Sequence, residues 1–360
     1  ITGEYVSGDA LAETSNTNPG GTSEWITAWH TSMLYLNGDS TSNLSTAVGT
    51  LSALRQRTFR TLIQMPMAGN TVRLTYSNEY STSAVLKIGE ISIALGKHAD
   101  PDAWASAAYV AVKDEAGLRA AFASAIASGD AYMGADYYGN AVVCIKPGKT
   151  VTTEAINIAS LGLTAMGYLS VSTFVCDMTA FGDGITGGLL GGKTVYMGIG
   201  GVGSAVTFNF NHTEIRDLNS VGVVPPIELW NSDDTGEYNI VPFLKEIDVQ
   251  RNSLVGVENP DDAYATVVFG DSTVANNTPL LLESKLLANS VNGVSFVWSA
   301  VKGSEFILNG QSSTDSSSDK NGPALGESGL NRAYKDALDL PGVKKVIVKL
   351  GINDIVHPNC

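Results

Sequence analysis

The feature that most constrains the fold is a short apolar run that stops at Gly-Asp-Ser. It reads Thr266-Val267-Val268-Phe269, then Gly270-Asp271-Ser272-Thr273. A run of β-branched and aromatic residues without polar alternation reads as a buried strand. Gly270 permits a sharp turn directly after it, which leaves Asp271 and Ser272 at the strand's C-terminal edge. Ligands of open α/β sheets bind along that edge. A serine hydroxyl placed there is a candidate nucleophile if a base and donors for the oxyanion are supplied.

Two later runs offer the donors. Lys345-Val346-Ile347-Val348-Lys349-Leu350 ends in Gly351-Ile352-Asn353-Asp354-Ile355, and an Asn at a strand end can turn its amide into the cleft of Ser272. Val294-Ser295-Phe296-Val297-Trp298 is followed by Lys302-Gly303-Ser304, where glycine lets a backbone N–H approach a substrate closely. Leucines at helical spacing over Pro279–Ala288 and a second helical stretch over 324–338 separate the strands. Strand, helix, strand, helix, strand reads as a parallel α/β sheet.

Gly270-Asp271-Ser272, Gly303 and Gly351-Ile352-Asn353-Asp354, in that order, resemble the SGNH or GDSL hydrolase superfamily. The resemblance implies an α/β/α flavodoxin-like domain that cleaves esters without cofactor or metal. Ser272 would be the nucleophile, with the Gly303 N–H and the Asn353 amide as oxyanion donors. That family completes its triad with an Asp-x-x-His block well beyond the Asn block. The sequence here ends at Cys360, seven residues after Asn353, so the resemblance assigns no triad His or Asp, and His357 reads as a loop residue. On this reading the α/β domain of residues 265–360 is incomplete and the chain alone is a weak esterase. Thr273, where the family more often has an aliphatic residue, and Trp298, where it often has Asn, bear on substrate preference.

A chain of 360 residues exceeds what one core usually supports, so two domains are expected. Residues 1–23 are rich in Gly, Ser, Thr and Asn without periodicity and read as a flexible leader. From Trp25 the pattern is β, with strands read over Thr58–Met65, Thr71–Asn78, Leu86–Ile88, Ile91–Leu95, Ala141–Ile145, Leu169–Val175, Thr194–Ile199, Ala205–Phe210 and Phe243–Val249. The first two, separated by Pro66 and Gly69-Asn70, read as an antiparallel pair. Asp114–Ser128 reads as a helix and Phe181–Gly192 as a glycine-dominated mobile loop. Many short strands with turns imply an all-β, jelly-roll-like sandwich over 24–255. The stretches Trp25–Trp29, Arg60–Gln64, Val72–Tyr80, Leu86–Gly89, Ile91–Leu95 and Tyr168–Ser172 also resemble the β domain that precedes the catalytic domain in one bacterial SGNH branch. A polar junction at Asn252–Ala265 separates it from the α/β part.

With 36 acidic against 22 basic residues the net charge is −14, which disfavours nucleic acid and anionic membrane as partners. No apolar stretch reaches the ~18 residues of a membrane span. A secreted protein acting on a small-molecule or carbohydrate ester is the expectation. Cys144, Cys176 and Cys360 are too scattered for a zinc site; the first two form either a bridge or two buried thiols. Gly38-Asp39-Ser40-Thr41 repeats the nucleophile block outside any α/β pattern and reads as a turn. The competing function class is a non-catalytic carbohydrate-binding β-sandwich, with Tyr132, Tyr137 and Tyr138 as a stacking platform.

Overall fold

The structure, a computed structural model, describes residues 24–36, 57–96, 108–136, 139–176, 185–191, 195–199, 227–228, 238–274, 278–301, 303–308 and 326–356. The expected leader, the Gly38–Thr41 turn, the strand at Ala205–Phe210, Tyr137, Tyr138, His98, His212, His357 and Cys360 lie outside them.

The chain is predominantly β. In order, its strands are β1 (Trp25–His30), β2 (Leu34–Leu36), β3 (Arg57–Gln64), β4 (Thr71–Ser77), β5 (Leu86–Leu95) and β6 (Tyr109–Val112). There follow β7 (Ala131–Ala135), β8 (Ala141–Ile145), β9 (Thr150–Thr152), β10 (Ile156–Asn157), β11 (Tyr168–Val175), β12 (Ile185–Gly191) and β13 (Val195–Ile199). The last are β14 (Ile227–Glu228), β15 (Tyr238–Pro242), β16 (Leu244–Gln250), β17 (Tyr264–Gly270), β18 (Val294–Ala300) and β19 (Val343–Lys349).

Two antiparallel sheets enclose the main core, an arrangement compatible with a β-sandwich. The five-stranded sheet runs β1-β16-β4-β10 with β9 also on β4, and the eight-stranded sheet runs β14-β13-β3-β11-β5-β8-β7 with β6 also on β5. Alternate residues Val72, Leu74, Tyr76, Ile247 and Val249 of the first share one core with Phe59, Ile63, Ile91, Ile93 and Val171 of the second. A third, three-stranded sheet is ordered β15-β12-β2.

The structure departs from the sequence pattern in several places. β3 and β4 are not a hairpin: β3 pairs with β11 and β13, β4 with β16. The six residues between them are no two-residue turn. Met65, Met67 and Ala68 are buried, Met65 N–H bonds to Gly167 O (2.9 Å) and Asn70 N–H to Ser253 O (2.9 Å), so the connection crosses from one sheet to the other. The loop expected at Phe181–Gly192 contains β12, which pairs with β15 over Gly187–Gly191 and with β2 over Ile185–Gly187. Backbone pairing needs no side chain, which is why composition misread it. Leu86–Ile88 and Ile91–Leu95 are one strand, and the helix expected over Asp114–Ser128 is two, Asp114–Ala121 and Ala123–Ser128, broken at Phe122, whose ring is buried. Cys144 and Cys176 are not joined in a disulfide and lie in a small cluster with Val142 and Phe174.

The parallel sheet is formed by the C-terminal part alone, in the order β18-β17-β19. Central β17 is covered on both faces: Val267 and Phe269 pack with Val297, Ala337 and Leu340, while Val268 packs with Val274 and Ala300. Helix Thr278–Ala288 follows β17, and Gly329–Ala333 runs into a single π-turn, Tyr334–Leu338, before β19. The junction before β17 is ordered. Arg251 Nη1 donates to Pro260 O (2.6 Å), Asp261 O (3.3 Å) and Ala263 O (2.7 Å). Outer strand β19 leaves Ile347 and Val348 exposed, beside Lys344, Lys345 and Lys349.

A hydrogen bond crosses the main core: the hydroxyls of Tyr76 on β4 and Thr173 on β11 lie 2.8 Å apart, both buried. Tyr76→Phe leaves the Thr173 hydroxyl unpaired and should destabilise by about 1–2 kcal/mol. Urea unfolding should show a lower midpoint at unchanged m-value; an unmoved midpoint would sink the idea that this bond ties the sheets.

Candidate functional site

The parallel register sets Gly270, the last residue of β17, opposite both Ala300 of β18 and Lys349 of β19. The three turns that carry Ser272, Gly303 and Asn353 therefore leave the same edge of one sheet. Gly270 is required for this closeness, because an added Cβ would collide with the Lys349 carbonyl and the Val274 side chain.

Past Gly270 the chain is turned by Asp271. Its buried Oδ1 accepts the Thr273 N–H (2.9 Å) and the Thr273 hydroxyl (2.7 Å), and its carbonyl accepts the Val274 N–H (3.1 Å). This is an Asx-type turn, and Ser272 sits half-buried at its corner. Thr273, read from sequence only as a departure, thus has a structural role.

Gly303 has φ 76°, a left-handed conformation that favours glycine. The turn around it is stitched to the first strand end: Val301 N–H donates to Gly270 O (3.1 Å), and Ser304 N–H to Val301 O (3.1 Å). Asn353 lies in the five-residue helix Ile352–Val356, entered through Gly351 at φ 115°. Its Nδ2 donates to Ser304 O at 2.9 Å. Gly303 and Asn353 are therefore brought into one cluster, with the Ser272 turn on the same sheet edge.

The spacing Asp-x-x-His does occur, at Asp354 and His357, contrary to the reading that assigned no such pair. Asp354 is already engaged: its carboxylate oxygens accept the N–H groups of Phe306 (2.7 Å) and Ile307 (3.1 Å). It holds the segment after Gly303 against the Asn353 helix. His357 lies outside the described residues.

Arg332, which no sequence motif marks, lies at the centre of this edge. Its buried guanidinium donates through Nη2 to Gly270 O (2.7 Å) and Ser304 Oγ (3.3 Å), and through Nη1 to Ser299 O (3.0 Å) and Ser32 Oγ (3.4 Å). It also lies 4.1 Å from the Phe269 ring centroid. Only the unusual presence of an arginine in a helix that turns toward the core could have pointed to it.

Beside Arg332, a charged joint connects the parallel sheet to the antiparallel region. His30, the only histidine among the described residues, is fully buried. Its Nδ1 donates to Trp298 O (2.9 Å), which leaves Nε2 facing Asp336 at 3.8 Å. Lys245 reaches both Asp336 and Glu79 at 3.5 Å, and Lys335 reaches Glu79 (3.0 Å) and Glu327 (3.2 Å). Burial pushes the His30 imidazole down to about 4, Asp336 opposes the shift, and Lys245 and Arg332 add to it. Burial alone would raise Asp336 and Glu79, but the neighbouring cations outweigh it and hold both carboxyls below their ordinary range. His30 points its nitrogens at Trp298 and Asp336, so it is placed as a packing residue and not as a base for Ser272.

Tyr132 is exposed on β7. Among the described residues no group of three or more His, Cys, Asp or Glu is arranged to hold a metal ion, and no helix is long and apolar enough to cross a membrane. Comparison of the sequence with protein-family models and with curated proteins finds no match.

Between the ordinary imidazole value of 6.5 and about 4, unfolded His30 binds a proton that folded His30 does not. The unfolded state then holds more protons, so stability falls as pH drops through that window. Asp336 and Glu79 add to the loss at lower pH, because their folded carboxyls resist protonation. The expected loss from His30 is on the order of a few kcal/mol by pH 4. In thermal unfolding at stepped pH, His30→Asn, which keeps a donor for Trp298 O but does not titrate, should flatten the slope between pH 6.5 and 5. An unchanged slope would assign the acid sensitivity elsewhere.

Proposed function

We propose that this chain carries the nucleophile and oxyanion-stabilising part of a serine ester hydrolase of SGNH type, acting on acyl or acetyl esters. The observation that supports it most is the gathering of the Ser272, Gly303 and Asn353 turns at one edge of a parallel sheet, with Asn353 bonded to the Gly303 turn. The order β18-β17-β19 is that of the second, first and third strands of this part, the order in which a flavodoxin-like sheet begins.

In this reading Ser272 Oγ attacks the ester carbonyl carbon and the alcohol leaves, giving an acyl-enzyme that water then hydrolyses. The negative charge on the carbonyl oxygen is met by the Gly303 N–H and the second N–H of the Asn353 amide. Both donors are set before substrate arrives, which is what makes such groups effective. Asp271 acts on the backbone, shaping the corner that presents Ser272. The proton acceptor is a histidine, as the resemblance implies; the one described histidine, His30, is engaged by Trp298 and Asp336, and slow turnover in the absence of an added base belongs to this reading.

The assay is p-nitrophenyl acetate hydrolysis with and without added imidazole, which supplies a mobile base. The expected result is a slow rate raised by imidazole above that of Ser272→Ala under the same conditions. Equal rates for wild type and Ser272→Ala would overturn the proposal. Fast turnover without imidazole, lost in His357→Ala, would keep the ester hydrolase and overturn its description as slow. Asn353→Ala should lower the Ser272-dependent kcat by ~10²–10³ with little change in KM; an unchanged kcat would remove Asn353 from the oxyanion site.

A further inference from the structure

We infer that Arg332 is a positioning residue that sets the spacing between the Ser272 turn and the Gly303–Asn353 pair, and that Ser32 in the antiparallel region helps fix Arg332. The catalytic part of this inference rests on the ester-hydrolase reading; the positioning part does not.

Arginine presents its donors in a rigid planar fork, and its charge persists at all working pH values. Here Nη2 holds Gly270 O, two residues before Ser272, together with the Oγ of Ser304, one residue after Gly303. The same Ser304 gives its carbonyl to Asn353 Nδ2 at 2.9 Å. A single side chain thus bonds to the nucleophile's strand end and to the residue that joins the two oxyanion donors. Through Nη1 it also holds Ser299 O, at the end of β18.

Ser32 bonds to this assembly twice, since its hydroxyl lies 3.4 Å from Arg332 Nη1 and 3.1 Å from Ser299 Oγ. Ser32 lies two residues past the end of β1, and β1 is itself bound to the α/β part through Thr27 N–H to Pro341 O (2.9 Å) and His30 Nδ1 to Trp298 O (2.9 Å). The antiparallel region is therefore one wall of the frame in which the candidate site is held. Arg332 is buried and 1% exposed, so no solvent competes for its donors. A lysine would keep the charge but, with one ammonium on a flexible stem, cannot span these acceptors.

The test compares Arg332→Lys and Ser32→Ala with wild type by hydrogen–deuterium exchange resolved to peptides, alongside the imidazole-supported ester assay. Arg332→Lys should speed exchange about ten- to hundredfold in peptides covering 271–274 and 301–307, leaving β5 and β11 unchanged. Ser32→Ala should move the same two segments by less, on the order of threefold. In the ester assay Arg332→Lys should lower kcat about tenfold or more at unchanged KM, since the lost interaction concerns the geometry of reaction. Exchange that rises uniformly across the chain, or not at all, would overturn the positioning role. A Ser32→Ala profile identical to wild type would overturn the anchoring by the antiparallel region, and this variant remains informative if Arg332→Lys fails to fold. Localised exchange effects in a protein with no Ser272-dependent turnover would support the positioning role and overturn the ester-hydrolase reading alone.

Discussion

The carbonyl oxygen of Gly270 is the point on which the C-terminal region depends. It accepts two donors, the Val301 N–H at 3.1 Å and Arg332 Nη2 at 2.7 Å, and so joins the end of β17 to the end of β18 and to the helix before β19. A glycine is needed there because the Lys349 carbonyl and Val274 occupy the space of a side chain. The two facts reinforce each other. Without a side chain the strand ends can approach, and once they approach, their carbonyls crowd into a volume that only a fork of donors can satisfy.

Burying Arg332 is expensive in isolation, because a charged group leaves water for a low-dielectric interior. The cost is offset by its hydrogen-bond acceptors and the face of Phe269, while Nε remains without a partner. The neighbouring joint follows the same logic on a larger scale. Lys245 and Lys335 are paired with Asp336, Glu79 and Glu327, and two of these pairs, Lys245–Asp336 and Lys335–Glu79, cross the contact between antiparallel and parallel regions. His30 among them stays neutral, so the balance holds near neutral pH. A contact of this kind is specific more than it is strong: removing one partner leaves a buried charge uncompensated, and a misaligned packing of the two regions would do the same.

Legibility from sequence followed locality. The strand Thr266–Gly270 is visible because its buried character is written in consecutive residues, and Gly303 and Gly351 are visible because their left-handed backbone demands glycine. The β3–β4 pair was misread for the converse reason. A Pro and a Gly-Asn between two alternating runs suit a hairpin locally, whereas the actual partners, β11 and β16, lie about a hundred or more residues further along the chain. Nor does any short-range pattern announce that Ser32 and Arg332 touch across 300 positions. β12 shows a further limit: glycines at 187, 188 and 191 suggest a loop by composition, yet a strand held on both sides obtains its order from its neighbours' backbones.

The same distinction bears on the division of roles at the candidate site. Three successive strand ends can each deliver one residue to a common edge, and here they deliver a serine, a glycine and an asparagine. Polar side chains in and beside those turns are engaged first in holding the edge together. Asp354 illustrates this. It stands three residues before a histidine, as a triad carboxylate would, yet both of its oxygens are taken by the backbone of Phe306 and Ile307. A carboxylate so engaged fixes the loop that follows Gly303, and each of its oxygens keeps a lone pair for a further donor. Spacing in the sequence identifies the residue types, and the hydrogen bonds that each side chain has already spent decide which role remains open to it.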